Sequence, residues 1–440
     1  MQRRWQRDSH MSNYPQGMSL HGVEIGSPLT ITYKNLNQDP IGPKNNQYYV
    51  VQGGSWYRSK RSAVRVRLAA QFRHFVVCLL AFVWYANFNL KGIIMNVRVG
   101  IIGIGGTISS TTRILAGEES SEVVALADPD PARRDSVLEG INDVQIFDDY
   151  LKMLDGVDLD AVCIGLPTWL HAPASQAALE RGLHVLCEKP PTNNAVEMVK
   201  LAQLAEEKKL VCMFVRQSRF SPRLMAGRQR IQGGELGDIY YADTRWIRTR
   251  WCSGRGWRHD KEKGGGVLLD LGIHAIDNAW FMMGCPQPTE VSAELYCHFS
   301  GLAPADQIYT ADDAACGQVR FKNGSVLHFA VAFSLNTANE ETPDEENIVR
   351  TEFQDVKIYG TLGGIENDRL LIGTPNGVEV KLLNTAELSA DPITLQSQEF
   401  IRAIIEKDQP LNPAAEAVML MQMLDSAMES SRIGKAVPIT

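Results

Sequence analysis

Cysteine is sparse and unpatterned in this chain of 440 residues. Its eight cysteines form no CxxC pair and no Cys/His cluster at metal-ligand spacing, which excludes zinc fingers and ribbons and argues against a disulfide-framed secreted module. Cys163, Cys187 and Cys212 sit in or at the end of apolar runs, where a free thiol behaves as a small hydrophobe. A reduced, cytoplasmic setting is therefore expected, with no metal. Long apolar runs are missing too. Residues 75–86 (FVVCLLAFVWYA) fall well short of the ~20 residues that span a bilayer. Arg3-Arg4 is followed by no apolar stretch of the kind a secretory signal needs. Internal repeats and nucleic-acid motifs are also absent, so neither a membrane nor a nucleic-acid partner is expected.

What is present is unevenly charged. The net charge is −7, yet residues 1–94 hold 12 Lys+Arg against 3 Asp+Glu, and the remainder is strongly acidic. Such a split marks either a basic arm or two unrelated segments joined. Residues 10–50 are rich in Asn, Gln, Gly, Pro and Ser and show neither helical nor strand period. Residues 48–74 resemble a late segment of formylglycine-generating-enzyme-type domains, on the stretch Gln52-Gly53-Gly54-Ser55-Trp56. That is too little chain to close a core. The codons for Lys91-Gly92 are purine-rich, like a ribosome-binding sequence placed just ahead of Met95. Residues 1–94 are accordingly expected to be extraneous or disordered, with the working protein starting at Met95.

From Val97 an α/β pattern sets in. The run VRVGIIGIGG ends in Gly103, Gly105 and Gly106 and leads into a helix-like TISSTTRILAG. Glycines at a strand-to-helix junction let backbone approach a pyrophosphate, and the helix N-terminus offers free N–H groups to its charge. Ile108 stands where GxGxxG has its last glycine. The next strand, EVVALAD, ends in Asp128, placed to accept hydrogen bonds from ribose hydroxyls and to repel a 2′-phosphate. NAD is thus expected ahead of NADP, although Arg133 and Arg134 keep the latter open. Strands and helices then alternate through DAVCIGLP, HAPASQAALERG, HVLCEKP, AVEMVKLAQLAEEKK and LVCMFV, the pattern of a parallel sheet with helices on both faces. Pro167, Thr168 and His171 follow one strand and Glu188, Lys189 and Pro190 the next, at the carboxyl edge where such sheets bind ligands.

Those residues, with GGGVLLDLGIHAID and SSRIGKAVPI, resemble the Gfo/Idh/MocA oxidoreductases over essentially all of the chain after Met95. The departures are Ile108 and Pro191, where the family usually has an aliphatic residue. The resemblance implies a Rossmann domain (95–217) followed by an α/β domain with a large open, mostly antiparallel sheet (218–440), whose last helices pack back on the core. It further implies a nicotinamide cofactor contacted by Gly103, Gly105, Gly106, Thr107, Ile108, Asp128, Pro167, Thr168, His171, Glu188, Lys189 and Pro190, and a homodimer or homotetramer. The implied catalytic set is Lys189, Asp270 and His274, acting on a sugar, inositol or related polyol.

The chemistry of those side chains suits hydride transfer. In 264–284 the polar residues Asp270, His274, Asp277 and Asn278 fall on one stripe of an α-helix, so Asp270 and His274 are expected to interact directly. Histidine is a suitable proton acceptor near neutrality, a carboxylate can orient it, and a lysine can stabilise the developing alkoxide. Arg216, Arg219 and Arg223 are expected at the cleft, Arg216 as a substrate contact together with Trp257 of the Trp257–Asp260 stretch. Two other readings stand beside a dehydrogenase: an NAD-dependent glycoside hydrolase of the same superfamily, and a non-catalytic nucleotide sensor. Farther on, Asn323-Gly324 predicts a hairpin, residues 336–355 a solvated loop, and Asn412-Pro413 a helix start with Pro in the first turn.

Overall fold

In the computed structural model, residues 96–250, 256–338, 351–385 and 390–439 are described in full. Before residue 96 the described elements are three short antiparallel strands, Ile31–Tyr33, Tyr48–Val51 and Ser55–Arg58. The apolar run 75–86 and the proposed start at Met95 lie outside the described residues. The chain divides into two compact units, 1–92 and 93–440.

The second unit begins with six parallel strands: β1 (Val97–Ile102), β2 (Ser121–Ala127), β3 (Gln145–Phe147), β4 (Ala161–Ile164), β5 (His184–Cys187) and β6 (Cys212–Phe214). Their order is β3-β2-β1-β4-β5-β6, which reverses direction between β1 and β4. The helices α1 (Ile108–Gly117), α2 (Pro131–Leu138), α3 (Tyr150–Gly156), α4 (His171–Glu180) and α5 (Ala195–Lys208) connect them. Because helices cover both faces, β4 reads as an unbroken apolar run rather than an alternating one. Ile108, in the place of the missing glycine, is fully buried and packs with Val99, Ile101 and Phe400.

After α6 (Pro222–Gln232) come β7 (Ile239–Arg248), α7 (Ile273–Met282), β8 (Pro288–Tyr296), β9 (Ala314–Phe321), β10 (Val326–Ala332), β11 (Glu352–Gly360), β12 (Gly363–Glu366), β13 (Arg369–Thr374) and β14 (Gly377–Leu382). The chain closes with α8 (Pro392–Glu406), α9 (Ala414–Ile433) and β15 (Val437–Pro438). These strands form a nine-stranded sheet ordered β14-β13-β12-β11-β7-β10-β9-β8-β15. Its ladders are antiparallel except β7 with β10. Every residue of α7 is buried, so that helix is the core of this half. Helix α8 returns to the first sheet, where Phe400, Ile401 and Ile404 join the cluster under α1.

Two local expectations need correction. Residues 352–360 of the expected 336–355 loop and beyond are strand β11, because their partner β7 offers a full ladder; residues 339–350 lie outside the described segment. Pro413 occupies the N-cap of α9 rather than its first turn, and the Asn412 side chain instead donates to the carbonyl of Phe214 at 3.4 Å. The Asn323-Gly324 turn does join β9 to β10, with Gly324 at φ +86°.

Candidate active site

The topology places a cleft at the carboxyl ends of β1, β4 and β5, where ligands bind in open α/β sheets. A cavity of about 360 Å³ lies there, walled by Gly105, Gly106 and Thr107, by Pro167, Thr168 and His171, by Glu188–Pro190, and by Trp257, Arg258, Gly264–Gly266, Leu269 and Asp270. It thus joins loops of the first sheet to the segment that precedes α7.

The glycine turn is shaped by close backbone contact. A β-carbon on Gly105 would stand 2.5 Å from the carbonyl oxygen of Gly165, and Gly103 and Gly106 have φ of +74° and +55°. The first turn of α1 holds an anion, the carboxylate of Glu188, which accepts from the backbone N–H of Thr107 and from its hydroxyl, the latter at 2.7 Å. The cradle fits the cofactor that the sequence implies through its glycine backbone, which lies on the cavity wall at the N-terminus of α1, where a pyrophosphate can approach closely. Asp128 is buried at the end of β2. Its Oδ2 accepts from the N–H of Ile104 at 3.0 Å and its Oδ1 from that of Asp130 at 2.9 Å, tying the glycine turn to β2. Arg133 lines the cavity, whereas Arg134 donates to the carbonyl of Asp128 at 3.1 Å.

His171 joins the two neighbouring loops. Its Nδ1 is 2.6 Å from the carbonyl of Pro190 and its Nε2 2.7 Å from that of Leu166. Burial pushes its pKa down, against the two carbonyls that favour a proton. The Lys189-Pro190 peptide bond is cis. Lys189 is half-buried and its Nζ donates to Asp270 Oδ1 at 2.6 Å and to the Asp270 carbonyl at 2.8 Å. For Asp270, burial opposes ionisation. The Lys189 ammonium and the Arg258 guanidinium, the latter 3.9 Å away, outweigh it and hold the carboxyl well below the usual carboxylate range.

Asp270 does not sit on a regular α-helix. Leu268–Gly272 is a π-turn and α7 begins only at Ile273, so the expected single polar stripe is split. Asp270 turns to Lys189 on the cavity wall, while His274 lies on the following turn, 6% exposed, with its ring centroid 5.6 Å from that of Trp246. Burial, reinforced by the Lys189 charge, lowers the His274 pKa to about 3. The imidazole is neutral at ordinary pH. Asp277 is spent elsewhere: it accepts from Arg219 Nε at 2.8 Å and Arg216 Nη1 at 3.2 Å, in a buried cluster that also includes Glu416. Arg216 and Arg219 were expected at the cleft; the structure instead gives them 3% and 0% exposure as the cationic half of that network. The reason is local, since the 3₁₀ turn Gln217–Phe220 directs them at α7 and α9.

Trp257 lines the cavity, edge-on to Trp169 with centroids 5.7 Å apart. Sequence patterning did not single out Gln217 or Leu269, which also line it; nothing in their local pattern distinguishes them. Asp312, which does not line the cavity but bonds the turn ahead of α7, was missed as well, and only its doubled acid, Asp312-Asp313 ahead of a strand, hinted at it. Among the described residues no group of acidic, histidine or cysteine side chains is arranged to hold a metal, and no helix is long and apolar enough to cross a membrane.

Comparison with known proteins agrees with this geometry. Residues 97–215 match the oxidoreductase family, NAD-binding Rossmann fold, and residues 228–439 the oxidoreductase family, C-terminal alpha/beta domain. D-glucoside 3-dehydrogenase of Escherichia coli is 27% identical over 352 residues, covering 78% of this chain and 97% of its own. D-xylose 1-dehydrogenase (NADP(+)) 2 of Haloferax volcanii is 25% identical, covering 77% and 99%. The fold of levoglucosan dehydrogenase, solved with NADH and levoglucosan, superposes with a TM-score of 0.67 at 21% identity, covering 78% and 99%. With a dinucleotide cradle, a lysine–aspartate pair facing it and both domain signatures in order, the chain belongs to the Gfo/Idh/MocA family of oxidoreductases.

Proposed function

We propose that the protein moves a hydride between a nicotinamide cofactor and a secondary alcohol or carbonyl of a sugar, inositol or related polyol. The observation that carries this reading is the Lys189–Asp270 pair, 2.6 Å apart on the wall of the cavity that begins at the glycine turn. A bound nicotinamide supplies the hydride acceptor or donor. The residues of this chain handle the proton and the oxygen. Lys189 has two donors bonded to Asp270 and retains a third for a substrate oxygen, where its charge stabilises a developing alkoxide. Asp270, ionised, fixes the ammonium in that position. His274 is neutral, the state a proton acceptor requires, but its pKa of about 3 makes it a weaker base here than its ordinary value near neutrality implied. Trp257 offers an apolar face of the kind a sugar ring covers, and the two relatives are named as sugar dehydrogenases.

NAD is the preferred cofactor in this reading, on the strength of the buried Asp128 carboxylate at the end of β2. Buried free thiols at Cys163, Cys187 and Cys212 support a reduced, cytoplasmic setting. Val378, Val380 and Leu382, exposed along β14, support a homodimer or homotetramer.

The test is a panel of sugars, inositols and polyols with NAD, followed by the absorbance of the reduced cofactor. Turnover is expected for at least one member, and Lys189→Met should lower kcat/KM by about 1,000-fold or more. Cofactor binding with no turnover across the panel would instead indicate a nucleotide sensor. Sugar release from an aryl glycoside would indicate a hydrolase.

A further inference from the structure

Asp312 lies 42 positions beyond Asp270, in the segment that leads into β9, and takes no part in the chemistry above. Its contacts converge on the π-turn. The N–H of Val267 donates to the Asp312 carbonyl at 2.9 Å, and the N–H of Leu268 to its Oδ2 at 2.8 Å. These are the amides that open the turn, which lack partners inside the helix. Gly266, at φ +119°, lies so close that a β-carbon there would stand 2.3 Å from Asp312 Oδ1. The carbonyl of Gly266 in turn accepts from the N–H of Asp270 at 3.0 Å. Asp312 is itself anchored, since Thr310 and Ala311 donate to the carbonyl of His259 at 2.8 and 2.9 Å, and Gly266 to that of Arg258 at 2.9 Å.

We infer that Asp312 is a positioning residue: by holding the first amides of the π-turn it sets the distance between Asp270 and Lys189. The connection is direct, because Lys189 Nζ bonds both the side chain and the backbone carbonyl of Asp270. A turn that slips by a fraction of its pitch moves both acceptors together. It also accounts for the third glycine of Gly264-Gly265-Gly266, which gives the Asp312 carboxyl room against the chain. What the turn needs is an acceptor, not a charge. Burial pushes the Asp312 carboxyl up to about 6, helped by Asp313 and opposed by the Leu268 N–H and Lys261, and either protonation state still offers an oxygen to Leu268.

This inference rests on Lys189 and Asp270 being the reacting pair, but its test needs no substrate. In the full-length protein, Asp312→Leu, Asp312→Ser and Asp312→Asn are compared with wild type by competitive acetylation of Lys189 with acetic anhydride and by amide exchange over 266–274. NAD binding serves as the check on folding. In Asp312→Leu, with NAD binding kept within about twofold, Lys189 should acetylate at least about threefold faster and exchange should rise about tenfold or more. Asn, which can still accept from Leu268, should match wild type within about twofold in both. Unchanged Lys189 reactivity in the leucine variant overturns the proposal, and so does an asparagine variant that behaves like leucine. If leucine does not fold, serine, too short to reach Leu268, carries the same expectation. Loss of fold in serine as well reduces the contact to general stability and also overturns it. Failure of the sugar and polyol panel, by contrast, counts against the reaction and leaves these readouts standing.

Discussion

At the scale of single residues, charge and neutrality are set by what each group touches. His274 is the clearest case, with burial and the Lys189 ammonium both disfavouring its protonated form. Its folded pKa of about 3 lies below the ordinary 6.5, so the unfolded chain takes up a proton that the folded one refuses. The stability this confers is complete above pH 6.5 and is lost as the pH falls toward 3. Between pH 7.5 and 5, wild type should lose about 2 kcal/mol more than His274→Asn, measured by urea unfolding. Parallel pH profiles would show that the imidazole is not held neutral. Lys189 and Asp270 were legible in the sequence because their motifs are short and contiguous. Arg216 was not, since an arginine bound for a buried carboxylate is written with the same letter as one bound for a substrate.

Elements were legible where hydrophobic period carries information. The alternation of apolar strands and amphipathic helices from Val97 to Phe214 is the first sheet, and the glycine turn opens α1 where the pattern put it. Strand β3 escaped notice because Gln145–Phe147 is three residues long and mostly exposed. The π-turn escaped for a different reason. A stripe spaced at 3.6 residues assumes an unbroken helix, and one wider turn rotates everything before it relative to everything after. The glycine turn itself is open to test. In Gly105→Ala the new methyl meets a backbone carbonyl, which cannot swing aside as a side chain would. NAD affinity by fluorescence titration should fall about tenfold or more, with the fold intact by circular dichroism. Wild-type affinity would show that close backbone approach is not what the cradle requires.

Across the molecule, the link between the first sheet and α7 is ionic as well as apolar. Arg216 and Arg219 follow β6, Asp277 is on α7 and Glu416 on α9, so one buried cluster touches three parts of the fold. Asp277→Asn leaves two buried guanidinium groups with a single carboxylate and should cost about 3–5 kcal/mol in denaturant unfolding. The exposed pair of Arg402 with Glu406 should be worth at most about 1 kcal/mol in the same assay. A loss for Asp277→Asn no larger than that would mean the cluster is not a linchpin. None of this was legible in the sequence, which orders residues along the chain and says little about which charges meet across separations of 61 or 197 positions.

The parallel ladder of β7 with β10 has a consequence for how the protein assembles. Tyr241 pairs with Val326, and the chain between them carries the cavity wall, the π-turn, α7 and two strands of the sheet. Along the first sheet, successive closures such as Ala161 with His184 or Val185 with Cys212 join residues far nearer in sequence. Loop closure grows costlier with length, and folds dominated by distant pairings form slowly. During synthesis, the strands and glycine turn of the nucleotide cradle emerge long before Asp270 has a sheet to stand on, although α8 reaches the cluster under α1 only near the end. Lys189 is therefore made early and spends that interval without its carboxylate partner.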